Sequence, residues 1–151
     1  MKKSYLLLFT AFLFSCGGGQ SKVDQLKEKY SVEPADPYTK WETNYGIGPI
    51  TSFELPADVD SELAEQGLKV FEAKCTACHK PDKKFIGPPP QGILTRRTPS
   101  WVMNMILNPE EMLQKDPIAK KLFMEFNGSP MANQNLTKEE ARAVLEYFRT
   151  L

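Results

Sequence analysis

The sequence predicts an all-α domain over residues 58–151, and three observations carry that prediction. Apolar residues recur there at helical spacing, with none of the sustained apolar and polar alternation that a half-buried strand shows. Three helix starts are written as a capping residue followed by proline, at Thr98-Pro99, Asn108-Pro109 and Asp116-Pro117. Near the end, Thr137 with Glu140 three residues on spells a capping box.

The first helix opens at Asp60 or Ser61, whose side-chain oxygen suits the free N–H groups of a first turn. Leu63, Gly67, Val70 and Phe71 fall on one of its faces, where Gly67 lets a second helix approach closely. Each of the three proline starts uses the fixed φ and missing N–H that suit the first helical position. Asn127-Gly128 is a left-handed stop for the last of these helices. The terminal helix follows, with Leu136 placed to staple onto Ala141 and an apolar face of Ala141, Val144, Leu145 and Phe148. There are no internal repeats.

Ahead of this domain the chain divides into three stretches. Residues 1–15 are a signal peptide: Lys2 and Lys3 precede an apolar run from Leu6 to Phe14 that is too short to cross a bilayer as a permanent helix. Leu13-Phe14-Ser15-Cys16 resembles the lipobox of bacterial lipoproteins, which implies lipidation of Cys16 and a stable membrane anchor. Residues 16–37 are polar and end in prolines, so they read as a flexible linker. Residues 38–57 differ, because Trp41, Tyr45, Ile47, Ile50, Phe53 and Leu55 are too apolar for a free linker. This irregular arm either packs over the domain or presents a patch to a partner, and the sequence leaves both open. The expected address is the periplasmic side of a bacterial membrane, inner or outer.

Composition narrows the function. A chain of 151 residues suits one modest domain with extensions. An even balance of 19 basic and 19 acidic residues, tipped acidic when the leader takes Lys2 and Lys3 away, argues against nucleic acid as a partner. No nucleophile-base pair, triad or phosphate loop is evident, so no intrinsic enzyme activity is expected.

Chemistry concentrates in Cys75-Thr76-Ala77-Cys78-His79. Two thiols two residues apart, with an imidazole next to the second, meet the needs of covalent haem c: each thiol reaches one vinyl group and the ring takes the iron from one side. A structural zinc site needs four ligands, and His79 is the sole histidine while Cys16, the only other cysteine, is assigned to lipid. A redox dithiol belongs after a strand at a helix start, whereas this motif ends a helix.

A single histidine excludes a second haem of this kind and excludes bis-histidine ligation. The second axial ligand is then a thioether or nothing. Met103, Met105, Met112 and Met124 fall within helices and read as core packing. Met131 lies in the irregular run Asn127-Gly128-Ser129-Pro130-Met131, where the backbone is free to aim a side chain, and is the expected ligand; Met124 or an open position are the alternatives.

The helix ending in CxxCH, the Gly87-Pro88 turn, the loop methionine and the capped last helix together resemble a class I cytochrome c over roughly Asp58 to Leu151. That resemblance implies one haem c and a crossing of the first and last helices, with Gly67 and Phe71 near Tyr147 and Phe148. It implies that the Pro88 carbonyl accepts a hydrogen bond from the ligating imidazole. It also places Trp101 near a haem propionate and lets Arg96 or Arg97 pair with one. Lys80, Lys83 and Lys84 are either a solvated face or a rim that steers an acidic partner. Tyr45 to Ile50 with Asn108 to Met112 is similar to small lipoprotein cytochromes that accompany periplasmic nitrous oxide reductase.

The function expected from all this is one-electron transport from a membrane quinol-oxidising complex to a periplasmic reductase or oxidase. The rival is a haem-based sensor or peroxidase-like catalyst with an open sixth iron position.

Overall fold

The computed structural model describes residues 36–151, so the signal peptide, the linker up to residue 35 and the lipid site Cys16 lie outside the described residues. Among the described residues five α-helices follow one another: α1 (Ser61–Lys74), α2 (Pro99–Leu107), α3 (Pro109–Lys115), α4 (Pro117–Glu125) and α5 (Lys138–Phe148). Short 3₁₀ turns occupy Pro37–Thr43 and Ile93–Thr95, and no strand occurs among the described residues.

Capping accounts for most of the boundaries. Asp60 accepts from the Leu63 N–H, Thr98 from Trp101, Asp116 from Ala119 and Thr137 from Glu140, the last completed by the return bond of a capping box. Asn108 departs from the expectation. Its side chain makes no cap bond to α3; the amide instead reaches the Ile47 carbonyl at 3.2 Å and Glu111 at 2.8 Å. Asn127 and Gly128 both take left-handed φ values, 58° and 71°, and stop α4.

The frame that positions the site is the crossing of α1 over α5. Gly67 lies against the Ala143 carbonyl and the Val144 nitrogen so closely that a β-carbon there would overlap them. One turn on, Phe71 meets Tyr147 and Phe148 with ring centroids 5.3 and 5.8 Å away. The glycine thus crosses at Ala143 and Val144, a turn before the aromatic pair. Ala64 is buried on the α1 face as well, and α5 buries Ala143, Glu146 and Tyr147 in addition to its expected apolar side. Phe71, at 2% exposure, is a core residue whose burial contributes about 2 kcal/mol.

Glu146 is fully buried and ion-paired to Arg142 and Arg149, the latter at 2.6 Å. The same carboxylate accepts from the Asp60 N–H at 2.8 Å, so the start of α1 is tied to the end of α5.

The arm packs on α2, α3 and α4, and it begins as 3₁₀ helix rather than irregular chain. Asn104 of α2, wholly buried, holds it on both sides: the amide donates to the Tyr45 and Ile50 carbonyls at 2.9 and 2.8 Å, and the side-chain oxygen accepts from the Ile50 N–H at 3.0 Å. The Ile47 N–H points at Met112 Sδ, 2.9 Å away. Asn44 reaches Asp116 at 2.7 Å, and the Thr98 hydroxyl donates to the Asn44 carbonyl at 2.7 Å. Tyr45 to Ile50 and Asn108 to Met112, far apart in sequence, are therefore in direct contact. Among the described residues no helix is long and apolar enough to cross a membrane.

Candidate functional site

The end of α1 builds the site. The Cys75 N–H still bonds back to Phe71, and then both the Cys78 and His79 N–H groups turn onto the Cys75 carbonyl at 3.0 and 2.9 Å. One tight turn therefore gathers two thiols and an imidazole. The thiols are free of a disulfide.

The chain then folds back over this turn. Gly87 donates to the Cys78 carbonyl at 2.8 Å, and Gln91 to the Pro81 carbonyl at 3.0 Å. Gly87 is pressed to the imidazole so closely that any β-carbon would strike its ring atoms. That approach leaves the Pro88 carbonyl 2.8 Å from His79 Nδ1. A carbonyl can only accept, so the ring proton sits on Nδ1 and Nε2 presents its lone pair.

These groups open into one cleft with mostly apolar walls. Cys75, Cys78, His79, Pro88, Arg96, Trp101 and Met131 all line it, as do Phe71, Met105, Ile106, Leu122, Val144 and Phe148. Met131 is half-buried in the irregular stretch between α4 and α5. Met124 is not part of the cleft and stands 74% exposed on the last turn of α4, so the expectation that it packs in the core is corrected. Met103 and Met112 are buried core residues as expected. Met105 is half-buried and packs against the core as expected, and it also contributes to the cleft wall.

The polar residues assigned to the cofactor edge divide three ways. Trp101 places its ring in the cleft wall, but its indole N–H is taken by Asp116 at 3.1 Å and is not free for a propionate. Arg96 closes the proline loop, donating to the Pro89 and Gln91 carbonyls at 2.7 and 2.9 Å. Arg97 is the buried one, at 5% exposure, with a guanidinium donating to the Arg96 carbonyl and Nε without a partner. Its role is signalled in the sequence only as one of two adjacent arginines; the fold separates them.

Burial, and then the neighbouring Cys78, push the Cys75 thiol up to about 11. A dithiol built for disulfide exchange needs a thiol held low, so this pair does not suit that chemistry. Among the described residues no three His, Cys, Asp or Glu side chains gather to hold a metal ion, which leaves a zinc reading without ligands.

The residues present do fit haem c: paired free thiols on one turn, an imidazole with its far nitrogen available, a glycine pressed flat to that ring and an apolar wall opposite. This arrangement defines a helical, covalent haem-binding domain. The Cytochrome c family matches residues 64–151. A cytochrome c from Rhodothermus marinus is 43% identical over 68% of this chain and 88% of its own, with a TM-score of 0.65. An engineered form from the same organism, bound to a carbene intermediate, is 42% identical over 68% of this chain and 88% of its own, with a TM-score of 0.63. A cytochrome c domain from Pseudomonas putida is 30% identical over 56% of this chain and 85% of its own, with a TM-score of 0.52. No curated protein matches.

This chain belongs to the cytochrome c family, as a class I monohaem member; that domain binds haem c covalently, and Cys75 and Cys78 fit its CxxCH motif. Electron transfer is the chemistry that domain implies. Haem held there would supply an iron that gains or loses one electron. The chain's part would be to orient His79 through the Pro88 carbonyl and to exclude water with the apolar wall.

Proposed function

We propose that this protein is a membrane-tethered one-electron carrier whose iron is held by His79 and Met131. It takes electrons from a quinol-oxidising membrane complex and delivers them to an extracytoplasmic oxidoreductase. The observation that carries the reading is the pairing of His79 and Met131 in one apolar cleft, with Met124 outside it. Thioether ligation favours the reduced state relative to harder donors and suits a carrier that must accept electrons readily.

A docking surface is available beside the motif. Phe85 and Ile86 are 49% and 46% exposed, Lys83 and Lys84 are exposed around them, and Lys80 sits over the Phe85 ring at 5.0 Å. An apolar centre with a basic rim fits a redox partner carrying acidic residues around its own electron entry point. Periplasmic nitrous oxide reductase is the acceptor to try first, on the likeness of Tyr45 to Ile50 and Asn108 to Met112 to its small companion cytochromes. Lipidation at Cys16 supplies the tether, on the periplasmic side of the inner or outer membrane.

Three measurements test this. Reduced holoprotein binds carbon monoxide slowly or not at all if a methionine occupies the sixth position, whereas fast, tight binding supports the sensor or catalyst reading. Cys16→Ala releases the protein from membranes; retention argues for an uncleaved helix. Oxidation of the reduced protein by candidate reductases is salt-sensitive if the lysine rim steers docking, and salt-insensitive turnover argues against that surface.

A further inference from the structure

Arg97 is a buried cation with no anion of its own. It makes no ion pair among the described residues, its Nε is unpartnered, and it lines the haem cleft. Burial lowers its affinity for the proton, which a guanidinium nevertheless retains. Asp116 and Glu125 are near enough to favour the charged form, but their oxygens serve other donors: Asp116 takes Trp101, Ala119 and Asn44, and Glu125 takes the Tyr38 hydroxyl. Arg96, the other neighbouring charge, works against it.

What keeps this cation in place is the arm. The Tyr38 ring lies 4.6 Å from the Arg97 guanidinium carbon, and the Trp101 ring lies 5.3 Å from it, so the guanidinium is held between two aromatic faces. Tyr38 is fixed in turn. Its hydroxyl donates to Glu125 at 2.9 Å, its N–H donates to Asp36 at 3.0 Å, Lys121 sits 4.2 Å from the ring, and Asp36 pairs with Lys121 at 2.8 Å. Behind Trp101, Asn44 of the arm bonds the same Asp116 that holds the indole. The arm precedes residues 64–151, the stretch that the family matches.

We infer that Tyr38 is a positioning residue for the redox centre: its ring holds Arg97 dry against the cofactor cleft and so keeps the reduction potential high. The inference rests on haem c being bound there. A fixed positive charge in a water-poor site disfavours the ferric state, which carries one more positive charge than the ferrous. Removing the ring admits water, screens the guanidinium and weakens that effect.

The test is the midpoint potential of full-length holoprotein. Tyr38→Ala is expected to raise the oxidised-to-reduced ratio at fixed ambient potential by roughly threefold to tenfold, tenfold being about 59 mV for one electron. Tyr38→Phe keeps the ring and stays near wild type. Tyr38→Leu keeps apolar bulk for folding without a ring face and falls in the same direction as alanine. Arg97→Gln lowers the potential at least as far, and adding Tyr38→Ala to it produces no further fall. A wild-type potential in Tyr38→Ala and Tyr38→Leu overturns the inference, as does an equal fall on the Arg97→Gln background. Haem absorbance separates the two failures: a wild-type chain that takes up no haem counts against the cytochrome reading, while fully loaded variants with unmoved potentials count only against Tyr38.

Discussion

Replacing Gly67 by alanine sets two effects against each other. In an isolated helix the change is favourable by about 0.8–1 kcal/mol, because glycine loses more backbone freedom than alanine on ordering. Here the new methyl meets the Ala143 carbonyl and the Val144 nitrogen, which are backbone atoms that cannot rotate away, so α1 and α5 must part. Overpacking of this kind costs about 1–3 kcal/mol. Parting the helices also loosens the Phe71 contacts with Tyr147 and Phe148, each pair contributing about 0.5–1.5 kcal/mol beyond burial. The net expectation is a loss of roughly 2–4 kcal/mol, which for a domain near this size lowers Tm by about 6–16 °C. Guanidinium titration of the holoprotein, followed by far-ultraviolet circular dichroism, measures it. Stability equal to wild type or above it would refute the close-crossing argument, since propensity alone predicts that sign.

The remaining predictions concern the buried charge and the arm. Burial by itself raises the Glu146 carboxyl, but the Asp60 N–H, Arg142 and Arg149 outweigh it and hold the folded value below the usual 4.5. Its contribution is therefore complete above that value and is lost as pH falls through the lower folded one; Glu146→Gln should cost about 3 kcal/mol at neutral pH and progressively less in denaturant titrations at acid pH. Asn104→Ala leaves the Tyr45 and Ile50 carbonyls and the Ile50 N–H without partners, a loss of about 2–4 kcal/mol, and hydrogen exchange should speed up across residues 45–50 while α5 stays protected. Gly87→Ala drives a methyl into the His79 ring and should alter the haem absorbance of the holoprotein more than it alters helix content.

Local chemistry made much of this fold readable before any coordinates. Asp60, Thr98, Asp116 and Thr137 cap as their spacing indicates, because a short polar side chain at a helix start needs only its own backbone as partner. Asn108 looks the same in sequence and does something else, since the arm offers its amide the Ile47 carbonyl from 61 residues away. Long-range partners hide the other surprises too. Glu146 lies outside the apolar face that spacing picks out on the last helix, yet Asp60 and two arginines converge on it in the core, and Arg97 is indistinguishable from Arg96 until Tyr38 covers one of them. Met124 differs for another reason: a helical position does not by itself fix the face, and Ile118, Ala119 and Leu122 of α4 turn inward while Met124, two residues past Leu122 and so about 200° round the helix, stands in water. The CxxCH motif was legible because covalent attachment confines its chemistry to five consecutive residues, whereas the cleft that receives the cofactor is assembled from all five helices and the loops between them.

The pairing of His79 with Met131 is tested most directly by the sulfur-to-iron absorption band of the oxidised holoprotein, recorded for wild type and for alanine replacements at Met105, Met124 and Met131. The band should be present in wild type, persist in the first two variants and vanish in Met131→Ala. Its survival in Met131→Ala, or its loss in Met105→Ala or Met124→Ala instead, would contradict the assignment.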